Sequence, residues 1–474
     1  MLNFDMIIDG KPVRSGVTQD VVNPATEEAF ASVAKGEVSH VDMAVTAARA
    51  AFSAWSAKSD AERKRLLDKL ADALETHKSE LMELLTKESG KPIGGLNHVG
   101  SGMEVMAAIA WTRVTAALEL PVEVIQDNQE ARVEVHRKAL GVVGSITPWN
   151  WPLMIAIWHL VPALRAGNTV VLKPSEFTPV TTIRFAQLAN EILPPGVLNV
   201  ITGDGAIGAA IASHQEIAKI VFTGSTPTGR HVMEMAAANF KRLTLELGGN
   251  DAGIVLPDVD PKEVAPQIFG AAFHNSGQTC ACLKRLYVHE SIYEPLCAEL
   301  AKLARNTVLG DGLSVSTQLG PLQNERQLRI VRGLVDDARE RGARVLAGGE
   351  VLPRKGYFFA PTIVADAQDG MPLVETEQFG PALPVLSYRD VDEVIERANR
   401  NPNGLGGSIW TTDLKRAAEL ALRMECGTVW VNTHGAIQPD APFGGVKQSG
   451  LGVEFGRHGL EEFTSIQTVK IMKG

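Results

Sequence analysis

The sequence predicts an α/β protein of two doubly wound parallel-sheet lobes, with a β segment lying outside both. Three observations point there. From about residue 140 onward, short β-branched runs alternate with helix-length amphipathic segments, the pattern of parallel strands joined by crossover helices. The alternation comes in two successive series. The 474-residue length also exceeds one core, since domains commonly run to about 100–200 residues.

Taken in chain order, a charged helix is expected over residues 61–86, with Leu66, Leu67, Leu70, Leu74, Leu81 and Leu84 forming one buried stripe. Residues 118–138 alternate apolar and polar around Gln126-Asp-Asn-Gln-Glu, which predicts a β-hairpin. The first series has strands at 142–147, 169–172, 197–201 and 219–223, with helices at 181–192, 206–213 and 226–239. The second has strands at 253–256, 285–289, 383–387, 408–411 and 428–432, with helices at 390–399 and 413–424 among them. Residues 464–472 form a last alternating strand. This strand and the hairpin would leave exposed edges unless another subunit covers them. There are no internal repeats.

Composition is that of a globular protein, 45% hydrophobic and 21% charged. A formal net charge of -9 argues against nucleic-acid or anionic-membrane partners. The most apolar stretch, 151–164, contains His159 and is bounded by Asn150 and Arg165, so no membrane span is expected. The N-terminus shows no secretory signal, and a cytoplasmic protein is expected. Cys280, Cys282, Cys297 and Cys426 have neither disulfide-framework nor zinc-site spacing, and no metal is expected.

Six segments carry chemistry-bearing residues. Asn275-Ser-Gly-Gln-Thr-Cys280 sets a cysteine on a Gly-containing loop near a helix end, where a thiol pKa can fall and the sulfur act as nucleophile. The other cysteines read as small buried hydrophobes. Leu245-Glu246-Leu-Gly-Gly places a carboxylate in apolar surroundings that raise its pKa toward the range of a general base. Thr147-Pro-Trp-Asn150-Trp-Pro is a rigid aromatic turn at the carboxyl end of a strand, where open α/β sheets bind ligands, and an amide there can donate to an oxyanion. Lys173-Pro-Ser-Glu176 also follows a strand and can hold ribose hydroxyls. Phe222-Thr-Gly-Ser225 opens a helix whose amides can face a phosphate. Gly203-Asp-Gly205-Ala-Ile-Gly208 matches GxGxxG but follows the third strand of its series, so it reads as a turn bordering an adenine. Each has an ordinary explanation when taken singly: a buried thiol, a strand-end charge, an Asx-type turn, surface charge, a helix cap, a plain turn.

Their order is what distinguishes them. Thr147-Pro-Trp-Asn-Trp-Pro, Lys173-Pro-Ser-Glu, Phe222-Thr-Gly-Ser-Thr, Leu245-Glu-Leu-Gly-Gly, Gly277-Gln-Thr-Cys, Glu377-Gln-Phe-Gly-Pro and Pro442-Phe-Gly-Gly-Val-Lys-Gln-Ser-Gly run collinearly over nearly the whole chain. The sequence thereby resembles the NAD(P)-dependent, non-acylating aldehyde dehydrogenases. The resemblance implies a Rossmann-like cofactor domain (1–117 and 139–247), a catalytic domain (248–447) and a β oligomerisation arm (118–138 and 448–474) serving a homodimer or homotetramer. It implies Cys280 as nucleophile, Asn150 as oxyanion donor together with the Cys280 amide, and Glu246 as the base for thioester hydrolysis. The matching cofactor positions are Ile146, Thr147, Trp149, Lys173, Ser175, Glu176, Gly205, Phe222, Gly224, Ser225, Leu247, Gly248, Glu377 and Phe379. Glu176 favours a free ribose 2′-hydroxyl, hence NAD, with NADP possible. Trp151, Met154, Trp158, Ile437 and Phe443 match the substrate entrance and carry no Arg or Lys, which favours an apolar or aromatic aldehyde. Betaine aldehyde stays open through cation–π contact. The sequence departs from common family residues at Arg165, Asn250 and Gln378. A CoA-acylating enzyme and a catalytically silent scaffold are the alternatives, opposed by the retained Glu246, Cys280 and Asn150.

Overall fold

A computed structural model describes residues 1–474. Two large sheets dominate it. The first has eight strands in the order Gly450–Leu451, Arg242–Glu246, Ile217–Thr223, Val142–Ile146, Thr169–Lys173, Leu198–Val200, Met6–Ile8 and Lys11–Val13. The strands from Arg242–Glu246 to Leu198–Val200 run parallel. The second has seven, Arg344–Ala347, Thr362–Ala365, Ala382–Tyr388, Leu283–His289, Asp251–Val255, Gly406–Trp410 and Thr428–Val431, parallel except for the first pair.

Both sheets are covered on both faces. Val170 and Val171, successive on one strand, belong to different buried clusters, and so do Ile254 and Val255 in the second sheet. Alternate side chains of a strand point to opposite faces, so each strand here is apolar throughout rather than every second residue. This explains why the strands read as continuous apolar runs in the sequence. The expected α/β class and both strand series are present, with strand ends shifted by a residue or two.

The hairpin forms from Glu123–Asp127 and Ala131–Ala139, and Thr464–Met472 pairs antiparallel with the latter over its full length, from Thr464 opposite Ala139 to Met472 opposite Ala131. Three expectations change. The single helix over 61–86 is two, Asp60–Thr76 and Lys78–Ser89, broken at His77, whose backbone leaves helical geometry (φ -99°, ψ 12°). The apolar stripe continues across the break through Leu74 and Leu81, both fully buried, so periodicity did not reveal it. The helices over 226–239 and 413–424 stop at Ala236 and Ala421, the first continuing as a 3-10 turn. The N-terminal strands, including the small sheet of Leu2–Phe4, Glu28–Ala34 and Thr18–Asn23, had no reading in the sequence.

The first sheet's register positions the site. Ile146 lies opposite Lys173 on one side and Phe222 on the other, and Thr223 lies opposite Glu246. Four of the six segments therefore emerge at one carboxyl edge.

Candidate active site

Asn150 sits in the turn after Val142–Ile146, 4% exposed. Its Nδ2 donates to the Gln278 carbonyl at 3.0 Å. An amide nitrogen carries two hydrogens, so a second donor is left for another acceptor. Trp151 Nε1 donates to Thr279 Oγ1 at 3.0 Å, and Asn275 Nδ2 donates to the Asn150 carbonyl at 3.1 Å. The turn of one lobe is thus sewn to the Cys280 loop of the other.

That loop has an unusual backbone. Asn275 (φ 51°), Ser276 (φ 54°) and Gly277 (φ 72°) are consecutively left-handed. Only Gly277 needs to be glycine for space as well, since a Cβ there would run into the Gly380 carbonyl. The strained non-glycine pair is pinned from outside: Ser276 Oγ donates to Gly320 O at 2.8 Å, and Gln323 N donates to Gln278 Oε1 at 2.9 Å. Lys284 Nζ donates to Gly277 O at 2.8 Å.

Cys280 is a free thiol, as is Cys282, whose Sγ donates to the carbonyls of Ala271 and Ala272 at 3.0 Å. A loop of this kind can lower a thiol pKa, but the surroundings of Cys280 act in the opposite direction. Burial pushes the Cys280 thiol up to about 12, with Glu377 and Glu246 adding negative charge nearby. The Ala281 amide pulls the other way but does not offset that.

Glu246 ends its strand, 5% exposed, with Oε1 lacking any hydrogen-bond partner. Burial, then the charge of Glu454, holds its carboxyl well above the usual range. Glu454 Oε1 is likewise unpartnered and lies 3.3 Å from His159 Nε2. The fully buried His159 ring also contacts Thr223 Oγ1 and Ser145 Oγ, each at 2.9 Å. Glu454 is held by paired backbone bonds with Phe443: Glu454 N to Phe443 O at 2.7 Å and Phe443 N to Glu454 O at 2.9 Å.

The carboxyl edge of the first sheet fits an extended dinucleotide. At one end Lys173 Nζ, drawn below its usual pKa by burial, lies 3.6 Å from a Glu176 carboxylate oxygen. Ser175 accepts from Phe177 N at 3.3 Å and shapes this turn. Gly205 opens a helix with nothing within 4 Å of an added Cβ, and one at Gly208 would meet only the Lys173 and Ile146 side chains, at 3.8 and 3.9 Å. A groove kept open by small residues is what close approach of a ligand backbone requires. In the middle, Ser225 caps the helix Thr226–Ala236 just after Gly224, leaving helix-start amides of the kind that bind phosphate. Thr147 Oγ1 is buried without a partner. At the other end Glu377, its carboxyl raised to about 7 by burial, accepts from Gly249 N at 3.2 Å beside Gly248. The Trp149 and Phe379 rings meet edge-on at 5.3 Å across the lobes. Phe379 is itself left-handed (φ 47°), and Gln327 Nε2 bonds the Gln378 and Phe379 carbonyls at 2.8 and 3.1 Å. Ile146, Phe222 and Leu247 are buried together in the core under this edge, so their side chains pack beneath the groove.

All five expected substrate residues converge. Trp151, Met154, Trp158 and Phe443 belong to one buried cluster, with Ile437 and Cys280 packed against it. The sequence reading missed Trp111 and Phe455. Trp158 and Phe455 meet edge-on at 4.7 Å, Trp111 and Phe455 at 5.7 Å. Met103, Ala107 and Trp111 recur every four residues along the helix Ser101–Ala117, a stripe legible as a buried face but silent about what it faces. Of the three departures, Arg165 ties to Asp60 (2.6 Å) and Ala116 O (2.9 Å), Asn250 donates to Val374 O at 2.9 Å, and Gln378 donates to Lys284 O at 3.2 Å.

Residues 13–469 match the family model described as "Aldehyde dehydrogenase family". Among curated proteins the chain is 41% identical over 493 residues to a phenylacetaldehyde dehydrogenase of Pseudomonas fluorescens, covering 99% of this chain and 96% of that protein. It is 38% identical over 464 residues to a human mitochondrial aldehyde dehydrogenase, covering 96% and 89%. Among solved structures, an NAD+ complex of an aldehyde dehydrogenase from Bacillus cereus superposes with a TM-score of 0.96 at 38% identity, covering 99% and 96%. A betaine aldehyde dehydrogenase from Staphylococcus aureus with NAD+ gives 0.95 at 32%, covering 100% and 95%.

Proposed function

Because this chain belongs to the aldehyde dehydrogenase family, its reaction is the NAD-dependent oxidation of an aldehyde to a carboxylic acid, and we propose that Cys280, Asn150 and Glu246 perform it on an apolar or aromatic aldehyde. The observation that carries this assignment is the Asn150 Nδ2 to Gln278 O bond, which brings an amide donor to the loop bearing Cys280.

The steps follow from the side chains. Cys280 gives up its thiol proton to solvent water and its sulfur adds to the aldehyde carbon, opening the C=O double bond to a thiohemiacetal oxyanion. Asn150 Nδ2, with the Cys280 amide, donates to that oxygen. The oxidised nicotinamide, when bound, supplies the hydride acceptor. Cys280 is then left as a thioester. Glu246 takes a proton from water, the water oxygen attacks the thioester carbon, and the acid departs as the Cys280 thiol is restored. An aldehyde cannot readily lose hydride, whereas its thiohemiacetal oxyanion can.

NAD is held by Lys173 and Glu176 at the adenosine ribose, Gly224 and Ser225 near the pyrophosphate, and Glu377 with Phe379 at the nicotinamide ribose. Ile146, Thr147, Trp149, Ser175, Gly205, Phe222, Leu247 and Gly248 shape the groove. The Glu176 carboxylate disfavours a 2′-phosphate. Trp151, Met154, Trp158, Ile437 and Phe443 receive the apolar part of the aldehyde. Residues 1–117 with 139–247 act as cofactor domain, 248–447 as catalytic domain, and 118–138 with 448–474 as the arm. The arm joins subunits into a homodimer or homotetramer, supported by its exposed Ile125 (66%) and Ile466 (62%). No helix is long and apolar enough to cross a membrane, and free thiols suit the cytoplasm.

NADH formation from phenylacetaldehyde, benzaldehyde, hexanal and betaine aldehyde, without added CoA and lost in Cys280→Ala, tests the reading. A requirement for CoA, or equal turnover in Cys280→Ala, would refute it.

A further inference from the structure

The turn bearing Asn150 has no cap of its own. Trp151 is the N-cap of the helix Pro152–Arg165 and makes no side-chain cap bond, because indole can donate but not accept. The acceptor comes from another helix. Glu104 Oε1, on Ser101–Ala117, takes the amides of Leu153 and Met154 at 3.0 and 3.1 Å. Its other oxygen meets Lys91 Nζ. Lys91 Nζ in turn donates to the Asn150 carbonyl at 2.9 Å and lies 3.3 Å from the centroid of the Trp151 ring.

Both charged side chains are wholly buried, at 0% exposure. A buried ion pair is a poor source of net stability, since desolvation offsets most of its attraction. This pair instead fixes geometry, reaching the residue before the helix, the N-cap and the first amides of its opening turn.

We propose that Lys91 and Glu104 are positioning residues for Asn150, holding its backbone so that the carboxamide stays aimed at the oxygen of the adduct on Cys280. The proposal rests on the assignment of Asn150 as oxyanion donor. Burial draws the Lys91 amine down to about 8, with Glu104 first and then Glu88 acting to keep it charged.

The test is steady-state kinetics with NAD and phenylacetaldehyde on wild type, Asn150→Ala, Lys91→Met, Glu104→Gln and the Asn150→Ala/Lys91→Met double variant. Each is normalised to titrated thiol in folded, NAD-binding protein. Lys91→Met and Glu104→Gln should each lower kcat about 10-fold or more, because small misplacements of catalytic groups are expensive. The aldehyde KM should stay within about threefold, and the double variant should be no more than about twofold slower than Asn150→Ala, since nothing remains to be positioned. Wild-type kcat in both positioning variants, or losses that multiply in the double variant, would overturn the proposal and leave the role of Asn150 standing. An unimpaired Asn150→Ala would overturn the oxyanion assignment and this proposal with it. If Lys91→Met does not fold, Glu104→Gln decides alone: its one oxygen can still accept from Leu153 and Met154, while the NH2 that replaces the other oxygen no longer accepts from Lys91 Nζ.

Discussion

Asn150 donates to the carbonyl of Gln278, two residues before Cys280, so one amide side chain spans the two lobes and touches the loop that bears Cys280. An isosteric change exposes its role. Asn150→Asp replaces the donor with an acceptor that faces both the Gln278 carbonyl and the developing oxyanion. We expect kcat to fall by about 10²–10³-fold or more, the usual consequence of losing one oxyanion donor. NAD affinity, read by quenching of protein fluorescence, should remain near wild type.

Removing the proposed base, Glu246, should separate the two halves of the reaction. In Glu246→Gln, rapid mixing should show a burst of NADH of about one equivalent per active site, followed by turnover slowed at least about 100-fold. The thioester forms and then waits for water. Absence of both burst and turnover would place Glu246 in the first half instead.

The activity should depend on pH with a definite sign. In its proposed role as base Glu246 must be a carboxylate, and its pKa is raised by burial and by Glu454. Deacylation should therefore accelerate as pH rises through that raised value. Glu454→Gln removes the like charge, lowers the Glu246 pKa and should move the acid limb of the kcat profile to lower pH. An unmoved limb would mean that Glu454 does not set it.

Cys280 should be a slow nucleophile without substrate or coenzyme. With its pKa raised to about 12, the rate of alkylation by iodoacetamide, followed by mass spectrometry, should climb about tenfold per pH unit through the whole range from about 7 to 10. A plateau near pH 8–9, as for an ordinary free thiol with a pKa of about 8.5, would contradict the burial argument.

Stability has its own titration. Glu88 is buried, accepts from the amides of Val180 and Thr181 at 2.7 and 3.1 Å, and has its carboxyl raised by burial to about 8. The folded form therefore keeps a proton that the unfolded chain has lost above 4.5. The stability it contributes is whole below 4.5 and is lost as pH rises to about 8. Thermal melts of Glu88→Gln should show a smaller drop across that window than wild type.

Much of this was legible in the sequence, for reasons that can be assigned to residues. Strands such as Thr169–Lys173 are apolar on both faces, and such runs stand out. The Cys280 loop and the Glu246 turn were visible because local chemistry and local spacing coincide there. Lys91, Glu104 and Phe455 were not, because each acts through contacts far along the chain, Lys91 reaching across 59 residues to Asn150. A lysine after a glycine, or a glutamate in a small-residue helix, gives no local sign of where its charge ends. The surroundings of the thiol are hidden for the same reason: loop position is readable, whereas burial near Glu377 and Glu246 is not.

The short strand Gly450–Leu451 pairs antiparallel with the strand that ends in Glu246, Leu451 opposite Leu245 and Gly450 opposite Glu246. Without residues 450 and 451 the strand ending in Glu246 is paired on one side only, through Ile217–Thr223. A fragment cut between Cys280 and Gly450 holds Cys280 and Asn150 yet lacks both the strand beside Glu246 and the nearby charge of Glu454. On the proposed role of Glu246, such fragments should be inert toward aldehydes rather than partly active.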